Sequence, residues 1–173
     1  MCFLFLVLCL YSAVFIHELG HLLIGGLCEI TVTELAIGVG PSILSVKGKN
    51  MNFILGLLPL GGHTFFKPKQ LSFLKKFLLN LSGVTFNFIA FIFLFYIYVD
   101  GNLTEGLIAL LSSIQNGTML SYLQQLFIGK DNFNLKDFSI MLIASNFMFF
   151  ISNLMPVPPL DGGEVVKDIL EII

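Results

Sequence analysis

Three stretches of this chain are long and apolar enough to fix its environment before any motif is considered: roughly residues 3–26, 73–99 and 136–156. Each is about the 20 residues a helix needs to cross the hydrocarbon core of a bilayer. The remainder agrees. The 173 residues are 56% hydrophobic and 12% charged, whereas soluble domains are about one-quarter charged. The expected fold is therefore an all-α membrane protein with three transmembrane helices, read as one domain over 1–173. A net charge of −2 offers no basic surface for nucleic acid, and none is expected as a partner. Cys2, Cys9 and Cys28 are odd in number and contain no CxxC, which excludes a disulfide framework and a thiolate zinc site.

Residues 1–16 lack a positive n-region and a small-x-small cleavage site, so the first span reads as a retained helix rather than a signal peptide. Between the first two spans, region 30–66 is apolar but rich in Gly and β-branched residues. Its "ILSVKGKNMNFIL" reads as two short strands around a Lys47–Asn50 turn, giving a membrane-associated β-hairpin between helices one and two. Residues 100–135 read as a loop with a short amphipathic helix near 107–127. The third span ends at Pro156, Pro158 and Pro159, which break a helix. The segment 157–173 follows, with a helix-like tail from Glu164. Lys47, Lys49, Lys67, Lys69, Lys75 and Lys76 all fall between spans one and two. By the positive-inside rule, 27–72 is cytoplasmic in a multi-pass protein of the cell membrane.

The first span contains "FIHELGHLL". His17 and His21 lie four apart, on one helix face, one turn from each other. That spacing lets two imidazoles share one zinc ion, with Glu18 within reach of a metal-bound water as general base. One ionisable group at mid-membrane costs about 2.5–3.5 kcal/mol on insertion scales, so three in five residues need a compensating role, which a metal supplies. A catalytic zinc usually has three protein ligands and an open position. The best candidate for the third is Asp161 in "NLMPVPPLDGGE", after a proline-broken helix and before two glycines that permit unusual backbone angles; His63 in "PLGGH" is a rival whose loop position favours a solvated or hydrogen-bonded histidine.

HELGH in a first core helix, with NLMPVPPLDGG ending a third, resembles the site-2 protease family of intramembrane zinc metalloproteases, peptidase family M50. "GVGPSILSV" with "LLPLGGH" is similar to that family's membrane-dipping β-hairpin, and "LSGVTFNF" to the GxxxN element of its second core helix. The resemblance implies a zinc metalloendopeptidase with a three-helix catalytic core and one Zn2+ per chain. His17, His21 and Asp161 would be its ligands and Glu18 would activate water. It implies a catalytic part for Asn87, holding the oxyanion or orienting substrate; the plainer reading is an interhelical hydrogen bond beside Gly83 as a packing notch. Asn146 and Asn153 read as structural or substrate-clamping. The substrate implied is a transmembrane segment of another membrane protein, cut in regulated intramembrane proteolysis. A catalytically inactive metal- or partner-binding scaffold and a metal transporter are the rivals; intact Glu18 opposes the first and a single polar cluster the second. Two departures stand out: His63 replaces a larger aromatic or aliphatic residue, and 100–135 is too short for the PDZ domain many members carry there.

Overall fold

The computed structural model describes residues 2–67, 69–128 and 134–171. Helix α1 (Cys2–Leu27) is followed by strands β1 (Val32–Lys47) and β2 (Asn52–Phe66). Then come α2 (Phe73–Tyr98), α3 (Leu103–Gln115), α4 (Thr118–Ile128), α5 (Leu135–Leu154) and α6 (Asp161–Leu170). Of these, α1, α2 and α5 are long and apolar enough to cross a membrane, and they fall on the three expected spans.

The helix ends have local causes. Helix α1 stops before Glu29 (φ 59) and α2 before Asp100 (φ 49) and Gly101 (φ 83), a left-handed turn that satisfies carbonyls at a helix end. Helix α5 opens on a capping box: the Asn134 side chain accepts from the Asp137 amide, and the Asp137 carboxylate accepts from the Asn134 amide. It closes at Leu154, short of the expected 156, because Met155 is extended (φ −63, ψ 136), as a residue before proline prefers. The single helix expected near 107–127 is two, α3 and α4, broken at Gly117 (φ 71). Part of the expected loop, 129–133, lies outside the described residues. The tail helix begins at Asp161 rather than Glu164, so Gly162 and Gly163 belong to its first turn.

The interior mixes apolar side chains such as Ala13, Val14, Val84 and Met141 with an unusual share of polar ones. Polar side chains lie inside: His17, Glu18, Ser82, Asn87, Ser145 and Asn146 are all buried. Large apolar ones face out, with Phe93 61%, Ile89 57% and Ile97 56% exposed.

Strands β1 and β2 form one antiparallel pair whose register folds back on itself. Leu35 is partnered by Thr64 and by Phe53, Ala36 by His63 and Ile54, and Ile37 by Gly62 and Leu55. Residues 52–55 pair in turn with 44–47. The lateral order is thus 44–47, 52–55, 34–37, 62–66, wider than the simple hairpin expected. The sheet runs along α1. A Cβ on Gly25 would strike Phe66, Glu18 meets Gly62 and Thr64, and the Tyr11 hydroxyl donates to the carbonyls of Gly56 (2.6 Å) and Leu57 (2.9 Å). From Gly25 to Tyr11 is 14 residues, about 21 Å of helix. The Lys47–Met51 turn therefore lies back toward the C-terminal end of α1, and the glycine-rich bends at 38–41 and 56–61 lie level with its middle.

Candidate metal centre

Helix α1 brings His17 and His21 to one face, and two glycines let α2 approach that face closely. A Cβ on Gly20 would lie 2.6 Å from the Ser82 carbonyl oxygen, and one on Gly83 would lie 2.6 Å from both His17 Nε2 and His21 Nε2. With the backbones this near, α2 supplies the partners of both outer ring nitrogens. His17 Nδ1 is 2.8 Å from Asn87 Oδ1. His21 Nδ1 is 3.0 Å from the Leu79 carbonyl oxygen and 3.0 Å from Ser82 Oγ. The Asn87 orientation is set by its amide nitrogen, which donates to the Ala13 carbonyl (3.0 Å) and to Asn146 Oδ1 (3.1 Å). Asn87 Oδ1 and the Leu79 carbonyl can only accept, so each imidazole carries its proton on Nδ1 and presents a lone pair at Nε2.

Asp161 is the first residue of α6. It reaches the helices because the Asp-Gly-Gly turn is pressed against the end of α5. A Cβ on Gly162 would strike the carbonyls of Leu154 and Met155, and one on Gly163 the backbone of Val157 and Pro158. Farther along α6, the Asp168 carboxylate accepts from Asn80 Nδ2 (2.8 Å) and from Lys76 Nζ (3.3 Å), tying the helix to α2.

Asp161 Oδ2 lies 3.2 Å from His17 Nε2 and 3.3 Å from His21 Nε2, and the two Nε2 atoms are 3.3 Å apart. Asp161 Oδ2 is buried with no hydrogen-bond partner. Three electron-rich atoms thus face one another, an arrangement that needs a cation at its centre. A proton on one imidazole would satisfy one contact. An ion at the centre satisfies all three, and the spacing suits it: ligands about 2.0–2.1 Å from a tetrahedral zinc lie about 3.3–3.4 Å apart. Among the described residues this is the only group of three or more His, Cys, Asp or Glu side chains so converged. The donor set, two nitrogens and one carboxylate oxygen, is one zinc accepts.

Glu18 is buried at 3% exposure. Its Oε2 accepts from Thr64 Oγ1 at 2.8 Å, and a Cβ on Gly62 would lie 2.9 Å from its Oε1. His63, the rival third ligand, points the other way. Side chains alternate across a strand, so with Gly62 and Thr64 on the α1 face, His63 and Phe65 lie on the opposite one. There His63 Nε2 is 3.0 Å from Glu34 Oε1 and its ring is 4.3 Å from that of Phe65. Asn87 sits behind His17, fully buried, its amide nitrogen committed to Ala13 and Asn146. Asn146 is also fully buried, and Asn153 donates to the Phe149 carbonyl within its own helix. Reading the sequence for chemistry passes over Thr64 and Ser82. Ser82 was detectable at one turn from Leu79 on the glycine face of α2, whereas Thr64 carried no motif.

The chain matches the profile of peptidase family M50 over residues 5–173. It is 36% identical over 107 residues to a Thermotoga maritima protein whose name places it among the zinc metalloproteases, covering 53% of this chain and 21% of that one. A Campylobacter jejuni protein with the same kind of name is 33% identical over 146 residues, 75% of this chain and 39% of its own. The regulator of sigma-W protease RasP of Bacillus subtilis is 47% identical over 51 residues, 30% of this chain and 12% of its own. The matched region is thus less than half of each of these relatives.

Proposed function

The chain belongs to peptidase family M50, and from that membership we propose that it is a zinc-dependent endopeptidase cutting transmembrane segments of other membrane proteins. The observation that carries this reading is the convergence of His17 Nε2, His21 Nε2 and Asp161 Oδ2 at 3.2–3.3 Å with an orphaned carboxylate oxygen among them. These three residues would hold the ion. Zinc bound there supplies a Lewis acid for the scissile carbonyl and a water acidic enough to ionise near neutral pH. Glu18, next to His17 on α1, takes the water's proton on its carboxylate and returns it to the leaving amine. Asn87 fixes the His17 tautomer and ring direction, the part outer-shell partners of metal-bound histidines play.

The substrate side follows from the sheet. A peptide bond inside a helix has its backbone shielded, so a helical substrate must be extended locally, and an open sheet edge receives an extended segment by main-chain pairing. Residues 62–66 are one lateral edge of the sheet, and Gly62 and Thr64 of that edge touch Glu18. Helices α1, α2 and α5 cross the membrane in this reading, and 1–173 forms a single domain. The Lys47–Met51 turn joins Lys69 and Lys75, which donate to the carbonyls of Glu29 and Cys28 just past the end of α1. That lysine-rich end faces the cytoplasm. The Bacillus relative is named a regulator of sigma-W protease, which supports a part for this chain in regulatory proteolysis.

The test uses purified, zinc-loaded protein in detergent with single-span peptides carrying a proline within the span. We expect cleavage inside the span, loss with chelator, return with zinc, and no cleavage by Glu18→Gln at parental zinc content. Zinc-loaded protein that leaves every such peptide intact would overturn the proposal, as would a Glu18→Gln variant that cuts at the parent's rate.

A further inference from the structure

Strand β2 does more than line the site. Two residues of its α1 face, Gly62 and Thr64, enclose the Glu18 side chain. Gly62 has no side chain where a Cβ would lie 2.9 Å from both Cγ and Oε1 of Glu18, and two residues along, Thr64 Oγ1 donates to Glu18 Oε2 at 2.8 Å. Among the described residues no hydrogen bond reaches Oε1. We infer that Thr64 is a positioning residue for the reaction: its hydroxyl pins Oε2 and leaves Oε1 as the oxygen that receives the proton of the attacking water. The inference rests on the reading of Glu18 as general base.

Three features make Thr64 suited to this. A β-branched side chain is stiff about χ1, so the hydroxyl direction follows from the strand. The strand is held by its pairing, Thr64 with Leu35 and Gly62 with Ile37. The acceptor is a carboxylate buried to 3% exposure, where a charge-assisted bond is stronger than a neutral one. Residues 62–66 are also the edge proposed above to receive the extended substrate. Seating a strand there and aiming the base are then two effects of one element.

The isosteric Thr64→Val removes the hydroxyl and keeps the shape, and Thr64→Ser restores a hydroxyl on a smaller side chain. Both are compared with the parent and Glu18→Gln on the proline-containing single-span peptides, with zinc content, thermal unfolding and peptide binding to zinc-free protein measured alongside. A hydrogen bond to a charged group carries enough energy that Thr64→Val should lower kcat by about tenfold or more, with KM, zinc content and peptide binding unchanged. Thr64→Ser should recover most of that loss. Thr64→Val at parental kcat, beside a dead Glu18→Gln, overturns this inference and leaves the general-base reading standing. A Thr64→Val defect confined to KM, zinc content or unfolding temperature, or one that Thr64→Ser does not repair, also overturns it. An active Glu18→Gln removes the general-base reading itself.

Discussion

Gly83 is a sensitive position for the proposed metal centre. Its missing side chain is where α2 comes closest to the two imidazoles: a Cβ would lie 2.6 Å from His17 Nε2, 2.6 Å from His21 Nε2 and 2.5 Å from His17 Cε1. Ordinary contact between such atoms begins near 3.5 Å, so Gly83→Ala demands about 1 Å of movement. Metal–ligand distances tolerate about 0.2 Å. The methyl group therefore either pushes α2 away, taking with it the Asn87 and Leu79 acceptors that orient the rings, or swings the rings off the ion. Removing an outer-shell partner alone typically lowers metal affinity 10–100-fold; here two ligands are disturbed together, and the expected loss exceeds about 100-fold.

Helix propensity works in the opposite direction, because Ala in place of Gly favours a helix interior by about 1 kcal/mol. Weak zinc retention in Gly83→Ala is then a local effect rather than general unfolding. The measurement is zinc content after dialysis against a graded series of chelators, with circular dichroism to follow helix content. Gly26→Ala is the control, since nothing lies within 4 Å of a Cβ there. Parental zinc affinity in Gly83→Ala would show that α2 does not meet the imidazoles as described, and the argument for a three-ligand centre would lose its geometry.

Asn87→Ala should lower zinc affinity about 10–100-fold with turnover of the fully loaded protein less affected; a variant that binds zinc normally but cannot cut would return Asn87 to the oxyanion. Asp161→Ala should lose zinc and activity together while His63→Ala keeps both, and metal analysis showing the reverse would make His63 the third ligand. In cells carrying a cysteine-free background, a membrane-impermeant thiol reagent should label Asn102→Cys and miss Lys49→Cys; the opposite pattern would invert the orientation. Single-span peptides N-methylated on alternate residues around the cleavage point should resist cleavage, because they cannot pair with an edge strand, and equal cleavage of methylated and plain peptides would remove strand addition.

Much of this was legible in the sequence for physical reasons. A bilayer fixes the length of a spanning segment, so apolar run length located α1, α2 and α5 to within two residues at each end. The HELGH spacing put His17 and His21 on one face because a helix has one period. The sheet was less legible. Its Lys47–Asn50 turn was visible, but the bends at 38–41 and 56–61 set the lateral order, and they depend on glycines whose positive φ values at Gly38 and Gly40 leave no periodic signal. Phe53 and Ile54, which look like edge positions in a simple hairpin, are paired on both sides. Proline at either would break the sheet rather than probe its edge. The first turn of α6 was missed because two glycines normally oppose a helix; here the backbones of Leu154, Met155 and Val157 occupy the space side chains would need.

The sequence favours Asp161 over His63 as third ligand from the prolines and glycines around it, and the structure adds a second, independent reason. Both residues follow or precede a glycine pair, in Asp161-Gly162-Gly163 and Gly61-Gly62-His63, and residue type allows either to bind zinc. Strand parity separates them. If Gly62 makes room for Glu18, then 62 and 64 share the face toward α1 and 63 cannot. His63 must then find a partner across the sheet, and Glu34, one diagonal away on β1, provides it at 3.0 Å. The same parity explains the three-residue run Gly62-His63-Thr64: a glycine yields space to Glu18, a threonine hydroxyl donates to it, and the histidine between them faces away. Asp161 is the candidate that faces His17 and His21, and α6 is held from both ends, by the backbone packed around Gly162 and Gly163 and by Asp168 on Asn80 and Lys76. Seven residues, about two helical turns, separate Asp161 from Asp168, so one face of α6 carries the carboxylate that meets His17 and His21 at its start and the anchoring one near its end.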